Sequence, residues 1–270
     1  MIEPEGKGSA AQEIANTGAD TAGATTGATL GMLLGGPGGA VFGAAVGPPL
    51  SHAFRKIGAE INNRYISPRE DKRVASALQH AIERTGEKLE EGKEIRNDGF
   101  FDEETDSRST ADEIIEGALI AAQREHEERK IEYIGSLIAN ICFDESLDSS
   151  QSNALISTAE RMSWRQIRIL SYISRLQEFT GRNREAHTFD FVSIRGLELP
   201  PDDFLHEFSE LQQMRLLMDL EAFMDFPLDP EKYVVSKFGR QLYSLMELDS
   251  VEISVLQEIH DLCKFGRYNV

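Results

Sequence analysis

TAGATTGATLGMLLGGPGGAVFGAAVGPPL, residues 21–50, places a glycine at every fourth position: Gly23, Gly27, Gly31, Gly35, Gly39, Gly43 and Gly47. No residue in the run is charged. The spacing keeps the glycines on nearly one helical face, drifting by about 40° per step because a turn holds about 3.6 residues. With no Cβ on that face a second backbone approaches closely, and the gain is van der Waals packing, which operates in lipid. In water the same composition is costly, about 1 kcal/mol per glycine against alanine in a helix interior. The pattern predicts a glycine zipper that packs helices in or against a membrane.

Gly36, Pro37 and Gly38 interrupt the run, and a proline among glycines breaks a helix and permits a tight reversal. The expected form is a hairpin with arms over about 22–35 and 39–46, stopped by Pro48 and Pro49. The longer arm, about 14 residues, reaches only about 21 Å, short of the roughly 30 Å of bilayer hydrocarbon. A single kinked span, a re-entrant hairpin and a zipper that inserts only as an oligomer all satisfy the sequence. Insertion is weakly favourable, with Leu30, Met32, Leu33, Leu34, Val41, Phe42 and Val46 supplying most of the drive. Arg55, Lys56 and Arg64 follow as a basic flank suited to anionic lipid on the cytoplasmic side, and Arg69, Lys72 and Arg73 extend it. A plain Gly/Ala linker has no reason to hold so strict a spacing. A phosphate-cradling loop requires a Gly-Lys-Ser/Thr or Rossmann-type ending that the run lacks.

The whole chain has 270 residues and a formal net charge of -18. It repels polyanions, so direct nucleic-acid binding is not expected. The acid concentrates between Glu83 and Glu132. Cys142 and Cys263 lie far apart in apolar helical settings, which predicts buried free thiols and no zinc site. The six histidines are scattered, and neither they nor His126-Glu127 fall in a triad or metal motif. No enzymatic activity, metal or cofactor is expected. Residues 1–20 form a polar, mildly acidic tail without the features of a secretory signal, which puts the body in the cytoplasm.

Residues 51–162 read as a helical domain with an acidic linker over 93–109. Ser67, Pro68 and Glu70 spell a capping box, opening a helix to about Glu91 that turns Val74, Leu78, Ala81, Ile82 and Leu89 inward. The linker reads as exposed, with Phe100 and Phe101 as an apolar dock. A second capping box, Thr110 to Glu113, opens the longest helix, to about Phe143, with apolar ends and the charged middle QREHEERKIE. A short helix follows over about 151–161, and Ser163 to Gln166 caps another with Ile167, Leu170, Ile173 and Leu176 inward. Trp164 reads as a core anchor.

Residues 163–270 end in a different pattern. A helix carries Phe204, Phe208, Leu211 and Met214, two apolar runs flank a Pro/Asp turn, and Ser236 caps a helix with Phe238, Leu242, Leu245 and Met246. Helix, helix, hairpin and helix resembles a winged-helix module, which does not bring DNA binding with it. The would-be recognition helix sets Asp202, Asp203, Glu207, Glu210 and nearby Asp219 against Arg215, the reverse of what phosphate contact needs. Protein docking or dimerisation is the expected role.

The run 130–173, KIEYIGSLIANICFDESLDSSQSNALISTAERMSWRQIRILSYI, is similar to a group of uncharacterised bacterial helical proteins associated with defence or mobile-element loci. With the zipper, the whole resembles membrane effectors of abortive-infection systems. The fold class expected is mainly α: a glycine-zipper hairpin, a multi-helix body and a small winged-helix-like α+β end. The resemblance implies an effector that oligomerises, inserts its zippers into the inner membrane and breaches it when a sensor or partner protein releases it. A membrane-tethered adaptor and a winged-helix regulator with a flexible glycine arm are the alternatives.

Overall fold

The computed structural model describes residues 48–62, 64, 66–103, 108–180, 202–219 and 233–264. The zipper glycines Gly23 to Gly47 and the turn at Gly36, Pro37 and Gly38 lie outside the described residues. Of the described residues 74% are helical, so the protein is mainly α. The chain divides into two compact units, the first ending at Arg161 and the second starting at Met162.

The first unit holds α1 (Pro48–Asn62), α2 (Pro68–Glu90), α3 (Thr110–Arg124), a 3-10 turn (Glu128–Lys130), α4 (Ile131–Ile141) and α5 (Ser149–Arg161). Pro48 to Leu50, grouped with the glycine segment by composition, form the first turn of α1. Prolines fit there because the first helical N–H groups have no partner within the helix. The α2 cap is as expected: Ser67 Oγ accepts from the Glu70 N–H and Glu70 reaches back to the Ser67 N–H. α3 starts one residue off the expected frame, because Ser109 rather than Thr110 is the cap and accepts from the Asp112 N–H.

The long helix expected from Thr110 to Phe143 is two helices. α3 stops at Arg124, Glu125 is extended, and a 3-10 turn precedes α4. The cause is a buried charge. Lys130, 2% exposed, forms an ion pair with the buried Glu125 and donates to the Glu160 carbonyl at 3.2 Å. A continuous helix has no way to bring Glu125 and Lys130 together on one side, since residues five apart point about 140° from each other.

α2 packs most extensively on α4, and α3 packs on α1, α2 and α5. At the α2–α4 crossing a Cβ on Gly135 would lie 2.6 Å from His80 Cβ and 2.7 Å from the Ala77 carbonyl oxygen. Only glycine fits.

The linker is not exposed throughout: Arg96 and Phe100 are buried. Arg96 donates to the carbonyls of Ile141 (3.3 Å) and Leu147 (2.9 Å), and its guanidinium lies 4.1 Å from the Phe100 ring centroid. A cation thus takes up the last carbonyl of α4, where the helix dipole favours it, and one from the loop that follows. Cys142, next to that end, is fully buried, and its thiol is pushed up to about 12 by burial.

The second unit holds α6 (Trp164–Ser174), α7 (Leu176–Thr180), α8 (Asp202–Gln213), β1 (Leu217–Asp219), β2 (Tyr233–Val235), α9 (Lys237–Leu245), a 3-10 turn (Leu248–Ser250) and α10 (Ile253–Lys264). α6 is the hub on which α8, α9, α10 and β2 pack. The strands pair antiparallel, Leu217 with Val235 and Asp219 with Tyr233. Trp164 sits half-buried on the first turn of α6, so the core is anchored by Phe204, Phe208 and Tyr172 instead. The Tyr172 hydroxyl lies 2.9 Å from His260 Nδ1 and ties α10, an element absent from the sequence expectation, to α6.

Two substitutions test this packing. Gly135→Ala is expected to lower unfolding stability by about 1–3 kcal/mol through overpacking, despite alanine's better helix propensity. Lys130→Ala is expected to lower it by about 3–5 kcal/mol, because the Glu125 charge is left buried and unpaired. Denaturant unfolding of both variants reads the losses, and a wild-type midpoint for either removes its assigned cause.

Candidate functional site

α1 is the element that joins the glycine segment to the body. Leu50, Phe54, Ile57 and Ile61, at helical spacing, are each 0% exposed and face α3 and α2. Each contributes about 1.5–3 kcal/mol by burial, as an upper estimate.

The basic flank predicted for lipid sits on and just after this helix. Arg55 is exposed on α1. Lys56 bonds Asp112 at 2.6 Å and also pairs with Glu103. Arg64 pairs with Glu116, which also takes Arg108, and Arg108 reaches Glu60 of α1 at 3.1 Å. Lys56 and Arg64 are thereby engaged with the body's own carboxylates, and Arg55 stays at the surface.

This clasp is electrostatically coherent. The Asp112 hydrogen bond, with that of Glu103, raises Lys56 above its ordinary value, and the Lys56 hydrogen bond holds Glu103 below its own. Burial works to raise Glu116, but the hydrogen bonds from Arg64 and Arg108 prevail and hold it low. Asp112 is 3% exposed and lies in the first turn of α3, where the helix dipole favours its charge. The other pairs are half-exposed, and such pairs contribute about 1 kcal/mol or less. Hydrophobic burial therefore holds α1, and the ion pairs fix its register.

In the second unit the acidic helix α8 turns much of its charge onto α6. Asp203 meets Arg165 at 2.6 Å, Glu207 accepts from Ser163 at 3.3 Å and Glu210 accepts from Gln166 at 2.6 Å. Burial raises the Glu207 carboxyl, with Arg165 opposing. Asp202 stays exposed. Arg215 closes the helix in the left-handed region at φ 57°, with its carbonyl bonded by Ser236 Oγ at 2.6 Å. Asp203, Glu207 and Glu210 thereby join α8 to the start of α6.

Among the described residues no helix is long and apolar enough to cross a membrane, and no group of three or more His, Cys, Asp or Glu is placed to hold a metal ion. Comparison of the chain with protein-family models, curated proteins and solved structures finds no match.

The clasp predicts an order of effects on α1. Phe54→Ala is expected to raise amide hydrogen exchange across residues 48–62 more than Lys56→Ala does, because a lost aromatic core residue costs about 3–5 kcal/mol. Glu103 and Glu116 have lowered folded values, so their contribution is present above the unfolded value of 4.5 and is lost as pH falls through the folded ones. Exchange or limited proteolysis at pH 7 and below pH 4 should show α1 loosening in acid. Equal protection at both pH values removes the electrostatic part.

Proposed function

We propose that the protein is a membrane-perturbing effector of a bacterial anti-phage or abortive-infection system. Its glycine zipper packs against other copies in the inner membrane, while the helical body stays on the cytoplasmic side. The observation that carries this reading is the seven glycines at four-residue spacing in an uncharged run, which leads directly into α1. Short, weakly hydrophobic arms gain from association, since each zipper face offers another a close-packing surface. The lipid bilayer and further copies of the chain are the partners in this reading, and a second protein sets the trigger.

The extensive burial of α1 supports a role for this helix as the link between body and membrane segment. Whatever the zipper does, α1 transmits to α3 through a packed face and a set of ion pairs. In the second unit, the order α6, α7, α8, paired strands, α9 supports a winged-helix-like reading, and the engagement of α8's acids by α6 supports packing rather than DNA contact. A protein-docking function for this unit remains part of the proposal.

The test is expression of the full-length chain, of a chain lacking residues 21–46, and of Gly31→Leu, with membrane potential followed after induction. Leu50 is kept in the deletion because it belongs to the core of the first unit. Depolarisation by the full-length chain alone, reduced in Gly31→Leu, is the expected result. Equal depolarisation by the deletion overturns the reading. Full-length protein that fractionates with membranes and leaves the potential intact replaces it with the tethered adaptor.

A further inference from the structure

A groove of about 580 Å³ opens between the first turns of α2 and the 3-10 turn before α4, lined by Arg69, Lys72, Arg73, Ser76, Glu128 and Ile131 together with Pro68. Three cations face one carboxylate there, in a chain whose net charge is -18. The groove is open to solvent.

The cations are unevenly committed. The Lys72 ammonium is exposed and makes no hydrogen bond or ion pair among the described residues. Arg73 is held in place by one bond from Nη1 to the Gln123 carbonyl at 3.2 Å, while its Nε is buried with no hydrogen bond. Arg69 meets Glu128 at 3.5 Å, with the side chains 77% and 62% exposed, a contact too solvated to contribute much. The nearby Glu70 carboxylate accepts from the Ser67 N–H and from Gln123 Nε2 at 3.2 Å, and its charge also acts on Arg73. Ser76 supplies a hydroxyl and Ile131 an apolar wall.

We infer that this groove binds a phosphate-bearing anion, with Lys72 and Arg69 as its charged contacts, Arg73 as a fixed guanidinium behind them, and Glu128 as the group displaced from Arg69 on binding. Two sources carry that chemistry: a soluble phosphate compound and the headgroup of an anionic phospholipid. The inference stands apart from the membrane-breaching activity, since binding is read without it.

The experiment uses the full-length chain. Inorganic phosphate and ATP are titrated by calorimetry in detergent, and co-sedimentation compares phosphatidylcholine vesicles with vesicles containing phosphatidylglycerol. The variants are Lys72→Glu, at an exposed position, and Glu128→Gln, which removes the competing charge. Saturable binding of phosphate or ATP that falls at least roughly tenfold in Lys72→Glu identifies a soluble ligand. Binding confined to phosphatidylglycerol vesicles, with the same loss, identifies a lipid headgroup. In both cases Glu128→Gln binds more tightly, a gain that misfolding does not produce. Absence of binding by both sources, indifference to Lys72→Glu, or no gain in Glu128→Gln overturns the site.

Discussion

Lys130 takes a positive charge into the interior of the first unit, and the chain around it is arranged to satisfy that charge. An unpaired ammonium at such depth is strongly unfavourable, so Glu125 and the Glu160 carbonyl must reach it. Meeting that requirement breaks the chain between α3 and α4. Once broken, α4 lies along α2 at a separation that only Gly135 permits, and α5 is held through Glu160. The same turn sets Glu128 at the rim of the cationic groove. Packing and site geometry in this unit therefore share one electrostatic cause.

α1 depends on this arrangement indirectly. Its apolar face is covered by α3 and α2, and its polar edge meets Asp112 and Glu116 of α3. A helix held mainly by burial and registered by half-exposed ion pairs is well suited to passing a displacement in either direction. A shift of α1 along its axis misaligns every pair at once and unseats the close-packed apolar face with them.

What the sequence made legible was local. Ser67, Pro68 and Glu70 lie within four residues, and the capping box they form is the one in the structure. The Ser163 box and the Ser236 cap are legible for the same reason. The α3 cap was ambiguous because Ser109 and Thr110 are both capable of capping, and the buried Asp112 rather than Glu113 took the N3 place. The break after Arg124 lies in residues with good helix propensity, and its cause is the burial of Lys130, which pairs with Glu125 and reaches a carbonyl 30 residues away. Arg96 was illegible likewise, since its carbonyl acceptors are 45 and 51 residues distant. In the candidate site, the basic flank was visible as composition. Which of its members were already paired depended on α3, so Lys56 and Arg64 looked as available as Lys72.

That distinction between paired and unpaired cations bears on how an anion approaches so acidic a protein. The net charge of -18 opposes approach at long range. At physiological ionic strength the opposition is screened beyond about 8 Å, whereas groups within a groove act over shorter distances and through less water. The field felt at contact is set by the nearby charges, Arg69, Lys72, Arg73 and Glu128 with Glu70 and Asp71 of the same helical turn, more than by the acids over the rest of the chain. Repulsion at a distance slows encounter without weakening the contacts made after it, because steering governs association rates more than contact energies. Overall acidity and a local phosphate site are compatible for this reason, provided that the cations of the site are not already taken. Lys72 is the residue that meets that condition.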